Sequence, residues 1–238
     1  MQMEVLDNPE AVARRAAAIV AEWALAAVGA RGRFVFAVSG GQTPWLMLRT
    51  LAAGDLPWDK VHIVQVDERI AVAGDPQRNL THLRESLRDQ ILLPPWQIYP
   101  MPVESRDLIR GAVDYAATLC ELAGTPPVLD LVHLGLGADG HTASLLPDDP
   151  VLKIADQDVA LSGPREGHCR MTLTLPVLNR ARHILWIVTG AEKAEMLKRL
   201  SLADRSIPAG CVRQTDALAV VDRAAAALLV AGSGARSA

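Results

Sequence analysis

The chain has 238 residues, 50% of them hydrophobic, 21% charged and 4% aromatic, with a formal net charge of −3 at pH 7. At roughly 150 residues per domain the length suits one large domain or two small ones, and it is long enough to build a core without staples. The apolar content excludes a disordered chain, the mild negative charge argues against a general nucleic-acid binder, and no stretch reaches the ~18 apolar residues of a membrane helix. Cys120, Cys169 and Cys211 are widely spaced and form no CxxC pair, as expected of reduced interior residues. The segment Met1–Val5 lacks the basic region and apolar run of a signal peptide, so a cytoplasmic location is expected.

In chain order, a first strand leads into Asn8-Pro9, where an N-cap and a proline at the first helical position open a helix over 9–28. Arg33–Val38 reads as a strand, followed by Ser39-Gly40-Gly41-Gln42 and by Thr43-Pro44, which repeats the capping device before a second helix. Val61–Val66 is the next strand and ends in Asp67-Glu68-Arg69. A helix runs from Ser105 to Leu122 and stops at Gly124. The strand Leu129–Leu134 then opens into a glycine-rich loop from Gly135 to Thr142. The polar stretch Pro147–Arg170 reads as an excursion with short strands such as Val159–Leu161. Ile184–Val188 and Ala217–Val221 complete the strands, and residues 232–238 read as a flexible tail. Strands alternating with helices predict an α/β fold with a mostly parallel sheet flanked by helices, plus a small β-containing excursion. No linker or repeat interrupts it, so residues 1–238 are expected to form a single domain.

In such sheets ligands bind beyond the carboxyl ends of the strands, and four of these strands end in polar or glycine segments. Ser39, Gly40, Gly41 and Thr43 offer close backbone approach and a helix N-terminus, which suits a phosphate. The segment lacks the GK[ST] of a P-loop. In Gly135-Leu136-Gly137-Ala138-Asp139-Gly140-His141, Asp139 is placed to orient His141, the arrangement a general base requires. Asp67, Glu68 and Arg69 sit at the sheet rim, where Arg69 suits bidentate phosphate recognition. Lys193, after Thr189-Gly190, is a second rim cation. His62 and His133 lie within strands, and His82, His168 and His183 show no ligand spacing, so no metal is expected.

Taken together, Val38–Pro44, Val66–Arg69, Leu134–Pro147, Arg170–Arg182 and Thr189–Ala194 resemble the signatures of the glucosamine-6-phosphate isomerase/6-phosphogluconolactonase family, on its lactonase side. The resemblance runs from about residue 5 to about residue 230. It implies a modified Rossmann-like fold and hydrolysis of 6-phosphogluconolactone, a step of the oxidative pentose phosphate pathway, with no cofactor. His141 is then the base and Asp139 its orienter. Ser39, Gly40, Gly41, Thr43, Asp67, Glu68, Gly137, Arg69, Arg170 and Lys193 bind the substrate, the last three clamping its phosphate. The implied partner is a small sugar-phosphate lactone, with no nucleic acid or membrane, in a monomer or weak homo-oligomer. Gln42, Leu146, Arg78 and Ala71-Val72 stand where the family usually has Ser, an aromatic residue, Ser and Val-Pro. The deaminases of the same group carry a glutamate shortly after their Asp-Gly-His motif. Thr142–Pro147 offers no carboxylate there, which separates this chain from them.

Overall fold

Strand-forming runs that are almost wholly apolar produce the most deeply buried elements. β2 (Phe34–Val38) is buried along its whole length, and so is β6 (Leu131–Leu134). The computed structural model describes residues 1–88, 97–165 and 167–229; the expected flexible tail at 232–238 lies outside them. With β1 (Gln2–Leu6), β3 (Val61–Gln65), β5 (Ile98–Tyr99), β9 (His183–Val188) and β10 (Ala217–Asp222), these strands form a seven-stranded sheet. Its order is β1-β10-β9-β6-β2-β3-β5, and every pairing is parallel. From β2 the chain steps outward to β3 and β5, then returns to β6 on the other side of β2 and steps outward again to β9 and β10. The order therefore reverses between β2 and β6. A crevice opens at such a reversal because consecutive loops diverge to opposite faces.

The two-residue period of β2 divides the core. Phe34, Phe36 and Val38 pack on one face with α1 (Pro9–Arg31), α2 (Gln42–Ala52) and α3 (Asn79–Arg88). Val35 and Ala37 face the other side with Tyr115 and Leu119 of α4 (Leu108–Ala123), Val177 of α5 (Leu175–Arg180) and Leu197 of α6 (Ala194–Ser201). The Asn8 side chain caps α1 by accepting from the Ala11 N–H at 2.9 Å, and Gly32 ends it in the left-handed region at φ 72°. The second capping expectation is corrected. α2 begins one residue before Thr43, with Gly41 as its N-cap at φ 134°, while the Thr43 hydroxyl shares a 3.0 Å hydrogen bond with that of Thr189.

The polar excursion is a second sheet. β7 (Val159–Arg165) and β8 (His168–Leu173) pair antiparallel, and β4 (Asp67–Arg69) adds to β8. Val66 joins the two sheets. Its N–H donates to Val38 O in β2, and its C=O accepts from Leu173 N in β8. Asp67-Glu68-Arg69 is consequently a paired strand, where the sequence suggested a loose charged rim. Among the described residues no helix is long and apolar enough to cross a membrane.

Candidate active site

A cleft of about 870 Å³ lies over the carboxyl ends of β2, β6 and β9, and its lining includes Ser39, Gly40, Gly41, Thr43, Asp67, Arg69, Gly137, His141, Arg170 and Lys193. Ten of the twelve residues singled out from the sequence thus meet in one space. The other two, Asp139 and Glu68, do not line it.

On the β2 side the Ser39 N–H donates to His133 Nδ1 at 3.2 Å, which ties the start of the glycine loop to β6. Burial pushes His133 down to about 3, so the ring is neutral and keeps that acceptor. Gly40 is a glycine for a packing reason: a Cβ there would stand 2.1 Å from Asn79 Oδ1. The first turn of α2 then presents its orphan N–H groups and positive dipole end to the cleft.

The small sheet supplies most of the charge. In the β4–β8 register Arg69 stands directly opposite Arg170. Like charges placed across a strand pair repel, so the arrangement favours an anion between them. Arg69 Nη1 donates to Gln77 O at 2.7 Å and Asn79 Oδ1 at 3.2 Å, fixing one edge of its guanidinium. Arg170 is 4% exposed. Lys193 approaches from the loop after β9. Asp67 is buried beside them, accepting from Ser144 Oγ at 2.7 Å. Burial raises its pKa, against the opposing pull of Ser144 and Arg170.

Glu68 is corrected from a binding role to a structural one. It is fully buried and accepts from Gln65 Nε2 at 2.9 Å and from the backbone N–H groups of Arg69, Asn79 and Leu80, each at 2.8 Å. Alternation along β4 turns it away from the cleft that Asp67 and Arg69 line. Its counter-ion is Arg78, 2% exposed, with Nε 3.5 Å from Glu68 and Nη1 bonded to Glu104.

Behind the opposite wall, His141 Nδ1 is 2.5 Å from Asp139 Oδ1. With that nitrogen engaged, Nε2 is the one that can take a proton from water. Burial lowers the His141 pKa; the Asp139 bond opposes the shift and Arg165 adds to it. The ring is therefore neutral at pH 7. Burial works against ionisation of Asp139, but the hydrogen bonds from the His141 side chain and backbone and from Arg165 hold it well below the usual carboxylate range.

Residues 7–221 match the profile of the glucosamine-6-phosphate isomerases/6-phosphogluconolactonase family. The chain belongs to this family. A 6-phosphogluconolactonase of Synechocystis is 38% identical over 200 residues, covering 82% of this chain and 83% of the relative. One of Mycobacterium tuberculosis is 36% identical over 218 residues, covering 86% and 88%. The three-dimensional structure of 6-phosphogluconolactonase from Trypanosoma brucei superposes with a TM-score of 0.84 at 26% identity, over 96% of this chain and 98% of that one. A monomeric glucosamine-6-phosphate deaminase has the same fold, with a TM-score of 0.83 at 19% identity over 96% and 100% of the two chains.

Sequence reasoning missed several residues of this family member's site. Asn79 bridges the glycine loop, Asp67 and Arg69. Thr189 anchors Thr43, and Arg165 reaches the Asp139–His141 pair. Asn79 is brought in at the start of α3, where its N–H donates to Glu68, and Arg165 by the pairing of β7 with β8. His62 has a structural role as expected, bonding the Tyr99 hydroxyl at 3.0 Å, and His183, which begins β9, stacks on Trp23 at 4.5 Å. Among the described residues no three His, Cys, Asp or Glu side chains cluster in a way that could hold a metal.

Proposed function

We propose that the chain hydrolyses 6-phosphogluconolactone to 6-phosphogluconate, with His141 as general base and Arg69, Arg170 and Lys193 gripping the phosphate. The observation that carries this reading is the neutral, carboxylate-anchored His141 on the wall of a cleft that also holds a pair of opposed arginines. A lactone is an activated ester, so its hydrolysis needs an aimed water, a base and relief of the developing oxyanion charge. His141 Nε2 takes the proton of a water attacking the carbonyl carbon. The tetrahedral intermediate collapses by breaking the bond to the ring oxygen, and the imidazolium returns the proton to that oxygen. Asp139 stabilises the imidazolium in between and stays ionised itself. Phosphate binding at the far end positions a carbonyl that offers little else to hold.

The lactonases named among the relatives support this choice within the family, and so does the absence of a carboxylate in Thr142–Pro147. On this reading the described residues form one catalytic domain acting in the cytoplasm. The test is hydrolysis of 6-phosphogluconolactone measured above its spontaneous rate, alongside ammonia release from glucosamine 6-phosphate. Lactone turnover without ammonia is expected; ammonia release would reverse the assignment.

A further inference from the structure

We propose that Arg165 is a positioning residue for this hydrolysis, clamping the Asp139 carboxylate from outside the cleft so that one oxygen is presented to His141. The inference rests on the base assigned to His141 above.

The carboxylate is divided between two partners. Oδ1 lies 2.5 Å from His141 Nδ1, and Oδ2 accepts from Arg165 Nη1 at 2.6 Å. The same Nη1 stands 2.9 Å from His141 Nδ1. Arg165 does not line the cleft, so it acts through Asp139 and the back of the imidazole, and the substrate lies on the far side of the ring. It also comes from a different sheet. The Asp139–His141 loop follows β6, whereas Arg165 ends β7. The β7–β8 register shifts between Ser162 and Arg165, and irregularities of this kind re-aim side chains next to active sites. Gly163 N–H donates to Asp149 Oδ2 at 2.7 Å, pinning the strand just before Arg165.

The clamp has two consequences. Asp139 sits in a glycine-rich loop with a side chain 41% exposed, and a free carboxylate there would sample several rotamers. Holding Oδ2 removes that freedom and fixes the plane of the ring. The guanidinium also bears on the charge of His141. Among the described residues, the ionisable groups acting on the ring are Asp139 from its own loop, Arg165 from β7 and Asp67 from β4. Both carboxylates favour the imidazolium and the guanidinium opposes it. The guanidinium thus adds to burial, and Asp139 can orient the base without holding it protonated near neutral pH.

Arg165→Gln and Arg165→Lys test the proposal by two readouts. One is the pH profile of kcat/KM on 6-phosphogluconolactone. The other is the NMR titration of the His141 ring in the substrate-free protein, assigned with His141→Asn. Removing the positive charge leaves burial alone to oppose Asp139 at His141. In Arg165→Gln the NMR midpoint and the acid limb should move up by about one pH unit, with kcat at pH 7 falling and KM near the wild-type value. Arg165→Lys keeps the charge and should keep both near the wild-type position. An unmoved midpoint in a folded Arg165→Gln protein overturns the proposal. A raised KM with an unmoved limb overturns it too, because Arg165 would then be touching substrate. The NMR midpoint needs no turnover, so it judges Arg165 separately from the base assignment. That assignment fails on its own if His141→Asn is fully active.

Discussion

A methyl group on Gly137 would stand 1.9 Å from His141 Nδ1 and 2.5 Å from Asp139 Oδ1. The backbone of Gly137 is also tied to the same residue, its N–H donating to His141 O at 2.8 Å. The glycine is thus the floor on which the hydrogen-bonded pair rests. Gly137→Ala should push the imidazole aside and lower kcat by about 100-fold, the usual cost of an ~1 Å misplacement of a catalytic group. Melting temperature should change little, because the displaced groups lie at a partly exposed loop. Steady-state kinetics with a thermal melt checks this, and full activity in the variant would show that the ring tolerates the displacement.

His141→Ala removes the proposed base itself. The expected loss in kcat is about 10²–10⁴-fold, with KM nearly unchanged because the proposed phosphate contacts lie elsewhere in the cleft. Single-substrate kinetics decides it; an unchanged kcat would take His141 out of the mechanism.

The opposed arginines Arg69 and Arg170 make a different prediction. Replacing Arg170 or Lys193 with Ala should raise KM for the phosphorylated lactone by about 10–100-fold, the worth of one or two charge-assisted hydrogen bonds. Turnover of unphosphorylated gluconolactone should be nearly the same in variant and parent. Equal losses on both substrates would mean that these cations serve the lactone ring and not the phosphate.

Glu68 should behave as a structural residue. Glu68→Ala leaves buried Arg78 with Glu104 as its remaining carboxylate and strips the acceptor from the N–H groups that begin α3. Urea unfolding should register a loss of about 3–5 kcal/mol. A variant of parental stability whose KM alone had changed would return Glu68 to the ligand.

His133 predicts how stability depends on pH. Its folded value is about 3 against a reference of 6.5, so between these limits the unfolded chain binds a proton that the folded chain does not. Stability is then complete above about pH 6.5 and falls as pH drops toward 3, by at most about 1.4 kcal/mol per unit from this group. His62, His141 and His183, all lowered chiefly by burial, add the same sign. His133→Gln should flatten this acid arm in urea titrations at stepped pH, and an unaltered slope would rule His133 out as its source.

The elements themselves were legible because their signals are local. Apolar runs of strand length marked β2, β3, β6, β9 and β10, Asn8-Pro9 marked the start of α1, and Gly124 marked the end of α4. Four polar strand ends also pointed to one rim, which the switch between β2 and β6 turns into the cleft. Local reasoning failed where pairing overrides it. Thr43 reads as a cap until Thr189, 146 positions away, takes its hydroxyl. Glu68 reads as a rim charge until β4 joins β8 and alternation turns it inward.

The sequence by itself determined the fold class, the glycine loops and the Asp139–His141 pair, since a hydrogen bond across two residues needs only a tight turn. The tertiary structure decided which face each charge occupies, why Gly40 and Gly137 must lack a Cβ, and that Arg165 stands behind the His141 ring. Those facts depend on strand register between segments far apart in the chain. A shift of one residue in that register would reverse every side chain it carries.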